Sequence, residues 1–341
     1  MFDALEMGNI SVGEGRMEKG LIQGVELVNN ASIDIPILVM NGVEEGPTLL
    51  LQSTQHGIEI QGIEVIQRVL RREVEPEELR GRVIGVPVAN PLAFMHHQYL
   101  SWIDNLDVGR VSAERPDGNT TERLAYALWS EAWSQADMIV NIHCNTRPDS
   151  LIYQWINLGN PDTRRSLERM AEAFGVTTIV SYEAGDDSTP TLGNLASREG
   201  KPVILEELID GRWISEPSTS VGVRGVLNIM KEFDMIDGEN KPQEGIPIVP
   251  GVNSSHGIIR AKRGGLIRFF KKPGEFIEEG EKLAEVYDLY GDVLEEVKMP
   301  VDGYVWAYPC GQSLGTSGGL QAVQSGANIA YAFTHEKDWP P

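Results

Sequence analysis

Between residues 30 and 235, short apolar runs alternate with longer amphipathic ones, and this alternation limits the fold more than any other feature of the chain. Strand-like runs fall at 33–40, 48–54, 83–88, 138–143, 151–156, 177–181 and 203–208. Helix-like runs fall at 60–72, 120–134, 162–174 and 221–233, with apolar residues such as Ile60, Ile63, Ile66 and Val69 recurring at helical spacing. A chain that alternates in this way folds as α/β layers, with helices flanking a largely parallel or mixed sheet. Sites in such sheets lie outside the carboxyl ends of the strands, so residues at strand ends are read first for chemistry.

The pattern changes after residue 237. The stretch up to Asn253 is crowded with Gly, Pro and polar residues and reads as a linker. Beyond it come short strands and turns, in which Gly265-Leu266-Ile267-Arg268-Phe269 and Gly303-Tyr304-Val305-Trp306-Ala307 open similar units 38 residues apart. Gly280 and Gly318 keep the same spacing, each ahead of an apolar run. Two copies of strand-turn-strand suggest a small all-β barrel or sandwich. The expected division is a first domain over 1–238, a linker over 239–253 and a C-terminal β-domain over 254–341.

Charge excludes several function classes. With 29 basic and 50 acidic residues the formal charge is −21, a surface that repels phosphate backbones and anionic bilayers. Neither nucleic acid nor membrane is an expected partner. Two cysteines, Cys144 and Cys310, support no disulfide framework and no cysteine-based zinc site. The acidic start lacks an apolar signal core and no apolar run approaches membrane-spanning length, so a cytoplasmic location is expected.

The chemistry-bearing residues sit at strand ends. His56-Gly57-Ile58-Glu59 follows the apolar run that ends near Thr54. Read as the first turn of the next helix, it points an imidazole and a carboxylate at one small cation. The pair is common by chance, so a third ligand is required. The alternating run Met138–His143 supplies one at its end. Two imidazoles and one carboxylate leave an open position on a zinc ion for water. Hydrolysis by such a water also needs a base. Val203-Ile204-Leu205-Glu206-Glu207-Leu208 interrupts an apolar strand with two adjacent carboxylates. Neighbours on a strand face opposite ways, so one of them can enter a cleft, and these residues alone do not decide which.

Taken in order, His56/Glu59, Asn90-Pro91, Asp107-Val108-Gly109-Arg110, His143 and a strand-borne glutamate resemble the succinylglutamate desuccinylase/aspartoacylase family, over essentially the whole chain. The resemblance implies a zinc-carboxypeptidase-like α/β fold with an added C-terminal β-domain. It implies one zinc ion per chain held by His56, Glu59 and His143. It also implies Glu207 as general base, because Gly200-Lys201-Pro202 leads into that strand and Asp210-Gly211 follows at the family's spacing. Arg110 then holds a substrate carboxylate, and Asn90 stands where the family places its Asn-Pro. The implied activity is removal of an acyl group from an N-acyl amino acid or similar small amide, with a metallocarboxypeptidase-like peptidase or a non-catalytic metal- or small-molecule-binding relative as alternatives. A homo-oligomer is expected only by analogy of fold.

The chain departs from the family around the substrate. The asparagine of the family's Asp-Leu-Asn-Arg is Gly109. The arginine expected to polarise the scissile carbonyl is absent from Gln98-Tyr99-Leu100-Ser101-Trp102, so that Arg115, Arg147 or another cation substitutes, or the zinc carries more of the work. The aspartate before the third ligand is Asn141. No arginine for an acidic acyl group stands near Thr191-Leu192-Gly193-Asn194.

Overall fold

The computed structural model describes residues 3–145, 149–182, 189–308 and 320–337. A hairpin of β1 (Leu5–Met7) and β2 (Ile10–Val12) precedes three long strands, β3 (Arg16–Glu26), β4 (Ser32–Asn41) and β5 (Glu44–Ser53). Then come α1 (Gln61–Arg68), which widens into a π turn over Val69–Glu73, β6 (Arg80–Val86), α2 (Pro91–Met95) and α3 (Thr120–Glu131). The chain continues through β7 (Met138–Cys144), β8 (Asp149–Ser150), β9 (Tyr153–Asn157), α4 (Pro161–Phe174) and β10 (Thr177–Ser181). α5 (Leu192–Arg198), β11 (Val203–Leu208) and α6 (Glu216–Glu232) complete the alternating part.

Eight of these strands lie in the order β3-β4-β6-β5-β7-β11-β9-β10. The pairs β5–β6, β5–β7, β7–β11 and β9–β10 are parallel, while β3–β4, β4–β6 and β9–β11 are antiparallel. The α/β mixed sheet flanked by helices that the sequence implied is therefore present. One face is covered by α1, α4 and α6, whose Val65, Ile66, Leu167, Met170, Val226 and Ile229 meet Leu49, Leu51, Val140 and Ile204. The other face is covered by α3 and α5, with Leu124, Leu128 and Leu195 against Ile35, Ile37, Leu50 and Ile139. Burial on both sides explains why the central strands are near-continuous apolar runs. The edge strand β3 carries Arg16, Glu18, Lys19 and Glu26, charges of the kind that keep sheet edges from pairing with other chains. They also hide the strand from a search for apolar runs.

Local signals set the helix ends. Asn119 and Glu122 form a reciprocal capping box at the start of α3. α4 starts at Pro161 behind Asn160 and stops at Gly175, whose φ of +80° closes the helix. α6 begins at Glu216, earlier than its apolar periodicity indicated, because Pro217 is favourable in a first turn.

Residues 239–251 hold no helix or strand, and β12 (Val252–Arg260) starts within the expected linker. β12 pairs in parallel with β10, so the large sheet runs on into the C-terminal region. The remaining strands are β13 (Gly265–Phe269), β14 (Phe276–Ile277), β15 (Lys282–Tyr287), β16 (Val293–Lys298), β17 (Gly303–Tyr308), β18 (Leu320–Val323) and β19 (Asn328–Lys337). The sheet extends from β12 through β19 and β17 to β14, and a separate antiparallel sheet runs β16-β15-β13-β18. Ile267, Leu283, Val286, Val305 and Ile329 fill the core between them. The repeated glycines have a shared cause. A Cβ on Gly265 would lie 2.1 Å from the Tyr287 carbonyl oxygen, and one on Gly303 would lie 2.4 Å from that of Phe333. Gly318 lies outside the described residues. Among the described residues no helix is long and apolar enough to cross a membrane.

Candidate metal centre and active site

β5 ends at Ser53, and Thr54, at a φ of +51°, turns the chain sharply. His56 to Glu59 then form a tight turn closed by a hydrogen bond from the Glu59 N–H to the His56 carbonyl, 3.0 Å. This corrects one expectation: the motif is not the first turn of a helix, since α1 begins at Gln61. The turn is pressed against α2, where a Cβ on Gly57 would lie 2.1 Å from the Ala93 carbonyl carbon. Only glycine fits there.

The turn and the end of β7 bring three side chains together. His56 Nδ1 lies 2.9 Å from Glu59 Oε1, and His143 Nδ1 lies 2.8 Å from Glu59 Oε2. The ligand atoms of His56, Glu59 and His143 lie within 4.8 Å of one another, and all three residues are buried. Burial alone would lower the His56 pKa, but hydrogen bonds to Asp107 and Glu59 overcome it and lift the imidazole to about 9. Burial would likewise raise Glu59, yet His143 and His56 pull it down to about 2. Two imidazole nitrogens and an ionised carboxylate aimed at one point are a donor set that suits a divalent cation.

Asp107 orients the set. Its Oδ2 lies 3.1 Å from His56 Nε2, while its Oδ1 accepts from the Gly109 N–H at 2.9 Å. A carboxylate on Nε2 holds the proton there and leaves the Nδ1 lone pair for a metal. Burial works against the Asp107 charge, but the hydrogen bond from His56 outweighs it and lowers its pKa. Behind Asp107, buried hydrogen bonds link Gln55, Asn141, Gln52 and the Trp133 indole. Gln55 also accounts for Gly109, since a Cβ at 109 would lie 2.1 Å from Gln55 Nε2.

The adjacent glutamates of β11 face opposite ways. Glu207 is in register with His143 on β7 and Tyr153 on β9, on the face that carries His143. Glu206 is in register with Ile142 and Gln154, fully buried on the face covered by α1, α4 and α6. Neither Glu206 carboxyl oxygen has a hydrogen-bond partner. Burial first, and the negative charge of Glu207 second, push its pKa well above the ordinary carboxylate range.

A loop between α2 and α3 forms the rim. The Tyr99 ring stacks on His56, with centroids 3.6 Å apart and planes 15° apart. Glu59, Asp107, Arg110 and Glu207 all act electrostatically on its phenol, which burial and the three carboxylates push above its ordinary pKa. The Arg110 side chain is 81% exposed, with Nε 3.3 Å from Asp107 Oδ2. Asn90 is fully buried: its Oδ1 accepts from the Ala93 N–H to cap α2, and its amide pairs with the Ser101 hydroxyl. Arg115 pairs with Glu122 at 3.5 Å, beside the capping box of α3. Arg147 lies outside the described residues, and Thr191 caps α5 through the Asn194 N–H. Sequence reading passed over Tyr99 and Gln55. The one signal for Tyr99 was its place in the stretch searched for an arginine.

The structure thus joins a mixed α/β sheet, a buried His-Glu-His group whose donors suit a metal ion, and a C-terminal β region. Residues 45–233 match the succinylglutamate desuccinylase/aspartoacylase catalytic domain. The chain belongs to the succinylglutamate desuccinylase/aspartoacylase family, as its motifs implied. It is 26% identical over 261 residues to N-alpha-acetyl-L-2,4-diaminobutyric acid deacetylase of Halomonas elongata, covering 76% of this chain and 75% of that protein. A succinylglutamate desuccinylase/aspartoacylase from Rhodobacter sphaeroides superposes with a TM-score of 0.78 at 28% identity, covering 94% of this chain and 96% of that one. The product-bound ectoine utilization protein EutE (DoeB) of Ruegeria pomeroyi shares the fold, with a TM-score of 0.76 at 22% identity over 93% of this chain and 95% of that one.

Proposed function

We propose that this protein is a zinc-dependent amidohydrolase that removes the acyl group from a small N-acyl amino acid. The observation that carries the reading is the buried convergence of His56, Glu59 and His143 on the face of the sheet that also presents Glu207. The similarity to a deacetylase of an acylated diamino acid supports the substrate class. His56, Glu59 and His143 would hold the ion, and zinc when bound lowers the pKa of water toward neutrality and polarises carbonyls.

The rest falls to the chain's own residues. Glu207 takes a proton from water as the water oxygen bonds to the carbonyl carbon. It returns that proton to the amide nitrogen as the C–N bond breaks. Asp107 keeps His56 in one tautomer and orientation. Arg110, exposed and fork-shaped, receives the substrate carboxylate. Asn90 serves the substrate through the loop it ties down by way of Ser101.

The test combines metal analysis with hydrolysis assays on N-acetyl and N-succinyl amino acids, Nα-acetyl-2,4-diaminobutyrate and short peptides. About one zinc per chain, turnover of an acylated amino acid, and a fall of about 10²–10⁴ in kcat for Glu207→Gln with the metal retained are expected. Zinc without turnover of any compound would leave a binding protein, and turnover confined to peptides would leave a peptidase.

A further inference from the structure

Amide hydrolysis places negative charge on the carbonyl oxygen, and a donor fixed at that point lowers the barrier without reorganising. The side chains near the centre are mostly acceptors: Glu59, Asp107 and Glu207 are carboxylates, and the Arg110 guanidinium leans on Asp107. Arg115 is engaged with Glu122 at the start of α3. Tyr99 is different. Its ring lies flat on His56, and the residue remains 43% exposed. Its phenol offers an O–H donor among these acceptors.

The segment around Tyr99 is held on both sides. Before it, the Gln98 N–H donates to the Ala93 carbonyl at 3.1 Å. After it, the Ser101 hydroxyl pairs with the fully buried Asn90 amide, and the Ser101 N–H donates to the Leu106 carbonyl at 3.0 Å. His97, at a φ of +50°, sets the direction in which the loop enters. Tyr99 is thus an aromatic donor clamped over the ligand cluster by backbone bonds and a buried side-chain pair.

We propose that Tyr99 is a catalytic residue whose hydroxyl donates a hydrogen bond to the carbonyl oxygen of the scissile amide and stabilises the oxyanion formed there. As the water oxygen bonds to the carbonyl carbon, the C=O π pair moves onto oxygen, where the Tyr99 O–H meets it. When the pair returns, the C–N bond breaks, the amine leaves with the proton relayed by Glu207, and the acyl group departs as a carboxylic acid. Tyr99 ends the cycle with its own proton. The assignment rests on the deacylase reading, and it accounts for how a chain without an arginine at 98–102 stabilises the oxyanion.

Tyr99→Phe keeps the ring over His56 and removes only the donor. On the best N-acyl amino acid of the panel, kcat is expected to fall about 10²–10³-fold, with KM within a few-fold, zinc content unchanged and the thermal midpoint unchanged. Affinity for a phosphonamidate analogue of the tetrahedral intermediate should fall by a similar factor, while affinity for the product amino acid holds. If Tyr99→Phe turns over like the parent while Tyr99→Ala is impaired, the residue acts only through its stack and the proposal is overturned. If the parent hydrolyses nothing on the panel, the deacylase reading and this proposal fall together. A parent that turns over beside an equally active Tyr99→Phe sinks this proposal alone.

Discussion

At the end of β11, the two faces of the sheet hold the same kind of residue under opposite conditions. On the front, His143 and Glu207 stand in register beside Glu59, His56 and Asp107, and almost every polar atom has a charged or hydrogen-bonded neighbour. On the back, one residue earlier on each strand, Ile142 and Glu206 lie beneath α1 and α6 among Val65, Ile204 and Leu208. The two glutamates are adjacent and chemically identical. One faces a cluster of charged and hydrogen-bonded groups, and the other lies in an apolar layer where burial pushes its pKa well up. Their environment, set by the period of two along a strand, decides what each carboxyl can do.

The largest expected effect breaks the front. His143→Ala removes one of the two imidazoles, leaving too few protein ligands for a zinc site. Zinc by elemental analysis should fall from about one per chain to trace levels, and turnover to background, with the far-UV spectrum preserved. Stoichiometric zinc in this variant would mean that the ion is held elsewhere.

A smaller effect separates the front's centre from its rim. Arg110 is exposed and its guanidinium touches only the edge of the cluster, through Asp107. Hydrogen bonds to charged groups are worth about 1.5–3 kcal/mol, so Arg110→Ala should raise KM by about 10–100-fold. kcat should change little, because the grip on a carboxylate is the same in the ground and transition states. A fall in kcat with unchanged KM would move Arg110 from binding into the chemistry.

Legibility in the sequence followed the same division. Residues 177–181 and 203–208 were read at their observed bounds, since an apolar run closed by turn residues is a local signal. His56, Glu59 and His143 were legible by residue type and place at strand ends. The helix expected to start at residue 60 does so within one residue, but the ligand turn ahead of it depends on α2 packing against Gly57, a contact with a segment far along the chain. Tyr99 on His56 and Gln55 in the space beside Gly109 are likewise contacts between segments distant in the chain. No periodicity in one segment announces such contacts. The split between Glu206 and Glu207 followed from the period of two along a strand, while its direction was left open by these residues alone and came only from the family resemblance.

The smallest expected effect tests the back. Glu206 is fully buried with both oxygens unpartnered, and its cross-strand neighbour Gln154 has an Oε1 in the same condition. Burial without a partner favours the uncharged form of the carboxyl. The folded-state pKa is raised, so the stability that Glu206 contributes is complete below the unfolded value, near 4.3. Above that value the unfolded chain sheds the proton that the folded chain keeps. Stability therefore drains by about 1.4 kcal/mol per pH unit until Glu206 itself ionises. Glu206→Gln keeps the shape of the side chain and cannot ionise. Thermal melts from pH 4 to pH 9 should show parent and variant close together at the acid end, with the variant's relative stability rising toward neutral pH. Turnover should stay within about twofold, since the residue lies behind the sheet. A stability difference that is flat across this range would mean that Glu206 is ionised in the folded protein, and the contrast between the two faces would be lost.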